Sequence, residues 1–149
     1  PVCMRRLPPL CQPRSTLFPY TPLGRSLQFL KRSSEALDNY EQAIGIYREV
    51  GSRLGEANVL QELGKLQDSA EDTLAHLQHA QEIYVSIGDG YSQCRNAVRF
   101  LADTHLKLGQ NQSALAILRQ VADLAKGTEY DFYQQQALEK IETICEQGG

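Results

Sequence analysis

The chain has 149 residues, 42% of them hydrophobic, and a formal net charge of -3, which suits about one ordinary domain with a core of its own. No apolar run is long enough to cross a bilayer, and prolines and arginines interrupt the N-terminal stretch where a secretory signal needs continuous apolar sequence, so no membrane span is expected and a reducing, cytoplasmic setting is. Residues 33–149 carry 9 basic and 18 acidic residues, whereas Arg5, Arg6, Arg14, Arg25, Lys31 and Arg32 stand before them with no acid; an acidic body repels phosphate backbones, so nucleic acid is not an expected partner.

The first segment in chain order is 1–22, which holds all six prolines as well as basic residues. It is read as disordered and as separate from a helical body over 23–149, in a chain that is itself a fragment or an alternatively started form. From Leu23 onward the apolar residues recur at helical spacing and strand-like alternation is nowhere sustained, which makes the fold class all-α. The predicted helices are Leu23–Lys31, Ser34–Val50, Gly55–Gln67, Ala70–Ile87, Tyr91–Leu108, Gln112–Lys126 and Asp131–Glu146. Gly51, Gly88, Gly109 and Gly127 each follow a helical run, where a left-handed cap favours glycine. Ser69 to Asp72 has the pattern of a capping box that starts the fourth helix. Short connections make consecutive helices antiparallel, so the chain is a series of helical hairpins.

The hairpins repeat. Ala43/Ala80, Ile46/Ile83, Tyr47/Tyr84, Val50/Ile87 and Gly51/Gly88 are each 37 residues apart. In the second helix of each hairpin a small, a large and a small residue share one face: Ala36, Tyr40 and Ala43, then Thr73, Leu77 and Ala80, then Ala114, Leu118 and Val121. The first helices pair a large residue with a small one at Leu23-Gly24, Leu63-Gly64 and Leu101-Ala102. On these residues the chain resembles the tetratricopeptide repeat family over about Leu23 to Glu146, in its longer-period subclass. The resemblance implies an α-α superhelix of about three repeats with a C-terminal capping helix. Gly24 to Ala36 and Ala102 to Ala114 keep the family spacing of 12, but Gly64 to Thr73 is only 9, which predicts an abnormal turn or a shortened third helix in the middle repeat. Pro19 and Pro22 truncate the first helix of the first repeat.

Catalytic chemistry is not signalled: no serine or cysteine sits in an elbow or glycine-rich context, and no loop cradles phosphate. The protein is therefore read as not an enzyme and as needing no cofactor. Cys3, Cys11, Cys94 and Cys145 lack zinc or disulfide-framework spacing, and Cys94 and Cys145 are expected to be small buried hydrophobes. His76 and His79 share a helix face without a third ligand, so no metal site is expected; His105 takes the place of the family's packing tyrosine. Tyr40, Tyr47 and Tyr84 are read as core residues.

The resemblance implies a concave groove lined by the first helices, receiving an extended peptide or a partner helix. Its lining would be Asn58, Gln61, Lys65 and Asp68 in the middle repeat and Asn96, Arg99, Asp103 and Lys107 in the third. Lys65 and Arg99 would set charge selectivity, and Asn58 and Asn96 would hold a peptide backbone. The family's carboxylate clamp is absent, since Thr21, Arg25, Glu62, Asn96 and Phe100 take its positions, and its asparagine ladder is interrupted by Glu62 and Phe100. The expected function is a protein-interaction scaffold, with weak self-association through exposed end faces; the alternative is a regulatory or sensor segment of a larger signalling protein.

Overall fold

The computed structural model describes residues 33–147, and among them every regular element is helical. In order these are α1 (Ser33–Glu49), α2 (Arg53–Leu66), α3 (Ala70–Ser86), α4 (Gly90–Asn96), a π-helical segment (Ala97–Leu101), α5 (Ala102–Lys107), α6 (Asn111–Ala125) and α7 (Asp131–Gln147). α4, the π segment and α5 follow without a break and act as one long helix. All boundaries fall within two residues of those predicted from Ser34 onward. The predicted helix Leu23–Lys31, the segment 1–22 and the effect of Pro19 and Pro22 lie outside the described residues.

Local chemistry explains where the helices stop. Gly51, Gly88, Gly109 and Gly127 have φ of 70, 71, 70 and 70°, a region closed to most side chains. At Gly88 the amide donates to Val85 O (3.1 Å) and the next amide, of Asp89, to Tyr84 O (3.0 Å), which is the paired bond set of a Schellman cap. Asp89 then caps α4 by accepting from the Ser92 amide at 3.0 Å. One glycine and one aspartate thus end a helix and begin the next, which leaves no room for a long loop. Ser69 opens α3 by accepting from the Asp72 amide at 3.3 Å, as the capping box predicts.

Side-chain contacts fix the hairpin directions. Asn58 and Gln61, early in α2, meet Tyr84 late in α3, whereas Gly64, late in α2, lies against Thr73, His76 and Leu77 early in α3. The two helices are therefore antiparallel. A Cβ built on Gly64 would stand 3.3 Å from His76 Cβ, Leu77 Cγ and Thr73 O, so a small residue is what permits this crossing. At the α1–α2 turn, Glu56 is 1% exposed and accepts from Arg48 (2.7 Å) and Arg53 (2.6 Å), which compensates a buried carboxylate.

The middle hairpin meets its missing residues by shortening. α2 has 14 residues, against 7, 5 and 6 in α4, the π segment and α5. It ends directly in an extended Gln67 (ψ 140°) rather than in a glycine cap. Packing survives the change, because Leu63 and Leu77 are both buried.

Buried apolar residues form two clusters. One joins α1, α2 and α3 through Ala36, Tyr40, Ala43, Leu60, Ala80 and Tyr84; the other joins α4 to α7 through Cys94, Val98, Ala114, Leu118, Tyr133 and Ala137. The predicted small-large-small faces are buried in each hairpin, except that Thr73 is half-buried. Tyr40 and Tyr84 are core residues as expected, and Tyr47 is half-buried over Gly55. The expectation of a buried Cys145 is overturned: Cys94 is buried, but Cys145 is exposed near the end of α7.

Candidate functional site: a polar face across alternate helices

α2, the π segment with α5, and α7 share one face. Lys65 of α2 holds its Nζ 4.4 Å from the centroid of the Phe100 ring, a cation–π contact across the two clusters. From the other side, Lys140 of α7 donates to Val98 O at 2.8 Å and to Asp103. Lys140 and Asp103 are both substantially exposed (32% and 47% of the side chain), so their pairing serves placement more than stability.

Lys65, Arg99, Asp103 and Lys107 line one cavity of about 430 Å³, together with Gly64, Leu77 and Phe100. A neighbouring cavity of about 460 Å³ shares Arg99, Phe100 and Asp103 and adds Gln136, Glu139 and Lys140. The two open on either side of the π segment. Four of the eight residues read as groove-lining are thus brought together, and they sit where exposed or half-buried side chains can meet a ligand.

Three of the other four are engaged within the fold. Tyr84 Oη donates toward Asn58 Oδ1 (2.8 Å) and Gln61 Oε1 (3.2 Å), which turns both amides toward α3. Burial pushes the Tyr84 hydroxyl up to about 12, with Arg95 acting in the opposite direction. Asn96 is fully buried, and its Nδ2 donates to Leu77 O (3.0 Å) and Gln81 Oε1 (2.9 Å) of α3 while its Oδ1 has no partner. From there it cannot hold a peptide backbone. Asp68 is exposed but lines neither cavity.

Glu62, which by position would repel a carboxylate, is 8% exposed and accepts from Lys65 at 2.9 Å. Its charge is compensated within the fold. His105 is buried as a packing residue, with Nδ1 2.7 Å from Gln110 Oε1, and His76 Nδ1 lies 2.8 Å from the Asp72 carbonyl one turn back. Among the described residues no group of three or more His, Cys, Asp or Glu is placed to hold a metal ion, and no helix is long and apolar enough to cross a membrane.

Three features had no counterpart in the sequence reading. The first is Lys140, whose partners lie 37 and 42 residues away. The second is a third cavity of about 620 Å³ between α3 and α6, lined by Gln81, Val85, Leu101, Ile117, Gln120 and Leu124 among others, with Glu82 its one charged group. The third is the π segment, which does have a sequence signal. Gly51 to Gly64 is 13 residues, whereas Gly88 to Ala102 is 14, and the π segment lies within the longer interval. A wide turn accommodates one additional residue without rotating the rest of the helix away from its core. No family model matches the chain, and no curated protein matches it either.

Proposed function

We propose that the chain is a tetratricopeptide-like helical solenoid acting as a non-catalytic protein-interaction module, with a peptide or partner helix held along the face of α2, the π segment with α5, and α7. The observation that carries this reading is the pair of adjoining cavities on that face, which share Arg99, Phe100 and Asp103. Support for the repeat comes from the antiparallel packing of α2 on α3 and from the burial of the same small and large positions in successive hairpins. Linked cavities along alternate helices suit an extended ligand better than a compact one. The reading includes a cytoplasmic location.

The test is affinity capture from lysate with the whole chain beside the double variant Arg99→Ala, Lys107→Ala. Both side chains are exposed, so helicity and melting temperature should be unchanged while the captured partner is lost. A partner retained by the folded double variant would overturn the assignment of the groove.

A further inference from the structure

We propose that the groove selects an acidic segment of a partner protein, with an aspartate or glutamate carboxylate seated between Lys65, Arg99 and Lys107 beside the Phe100 ring. This rests on the groove reading above and adds the chemistry of its ligand. The residues from 33 onward carry 9 basic and 18 acidic side chains, yet the cavity of about 430 Å³ gathers three of those nine cations. The one acid that lines it, Asp103, already pairs with Lys140, and Lys140 is fixed by its second bond to Val98 O. Lys65 is shared with Glu62, but Arg99 and Lys107 form no ion pair among the described residues. Among the described residues the cavity therefore gathers three cations against one acid that is already paired, on a body that is otherwise negative.

Its shape suits a carboxylate. Arg99 offers a planar fork that can bind two oxygens at once, and Lys65 and Lys107 offer compact ammonium donors. Phe100, Leu77 and Gly64 give the cavity an apolar wall beside the charged groups. A basic segment would meet like charge. A polyanionic backbone would gain these three cations but extend over the acidic surface around them. A short acidic peptide avoids both penalties. Steering by the patch should also make association dependent on ionic strength.

The probe is a displayed library of random dodecapeptides selected against the whole chain. Enriched peptides should be rich in Asp and Glu. Each should lose about tenfold or more in affinity when its acids become Asn or Gln, and a similar factor against K65Q/R99Q/K107Q. The peptide substitutions keep the test valid if the triple variant folds poorly. Peptides that bind in the groove, as mapped by cross-linking to Phe100 substituted with a photoreactive residue, but show no acidic bias would overturn the ligand class and keep the groove. Peptides that bind elsewhere, or no enrichment at all, would overturn the groove reading and this inference with it.

Discussion

Tyr84 ties α3 to α2 through one hydroxyl and fills the core with its ring, so it tests whether polar satisfaction matters at the middle hairpin interface. Tyr84→Phe keeps the ring and leaves Asn58 Oδ1 and Gln61 Oε1 without their donor. Urea unfolding should show a loss of roughly 1–2 kcal/mol, because Asn58 is half-buried and recovers part of its hydrogen bonding from water. The same hydroxyl contributes to the pH response. Burial holds Tyr84 and Tyr133 at about 12, from 10.0, and Cys94 at about 11, from 9.0. An unfolded chain releases these protons near its ordinary values, whereas the folded chain retains them. Their stabilising effect is thus complete below about pH 9 and is lost as pH rises through 11 and 12. The melting temperature should fall over that window, and Tyr84→Phe should flatten part of the fall; an equally steep decline in the variant would contradict the assignment. At this scale the sequence was informative for Tyr40 and Tyr84, whose spacing to small residues marks a packed face. It did not show that Asn58, Gln61 and Asn96 bond to α3, because an amide looks the same in a sequence whether it faces a ligand or a neighbouring helix.

The elements were legible because each boundary has a local cause. Positive-φ glycines, Ser69 and Asp89 act within a few residues, so helix ends can be read without knowing the packing. The π segment depends on comparison between repeats rather than on local signals, which is why a per-helix reading passes over it. Its origin as one additional residue makes a prediction. Deleting Arg99 should convert the segment to regular α-helix and leave the melting temperature within a few degrees of the parent. Deleting Arg119 from α6 should rotate the rest of that helix by about 100° and unfold the protein, since Val121, Ala122 and Ala125 would leave the core. Circular dichroism on the two deletions decides the point, and comparable damage from both would sink the insertion account. The Lys140 bridge was not legible at all, because long-range contacts leave no periodic trace.

For the molecule as a whole, the division of the core matters most. Two apolar clusters, α1 to α3 and α4 to α7, are joined by a seam in which Asn96 reaches from α4 to Leu77 and Gln81 of α3. Asn96 leaves its own Oδ1 unpartnered there, a feature that reduces the stability of the joint even as its two donated bonds hold it. Asn96→Ala should therefore uncouple the halves: hydrogen exchange should separate into two groups of protection along the described chain, and the unfolding transition should broaden. A single sharp transition in the variant would show that the clusters are coupled by other contacts. The expected self-association would use faces of α7, where Phe132 and Leu138 are exposed. The seam also crosses the cavity of about 430 Å³, since Lys65 belongs to the first half and Arg99 and Lys107 to the second. A joint placed there makes the two halves a pair of jaws about a pin: the gap between the cations is set by how one half is seated on the other, through Asn96 and its two bonds to α3.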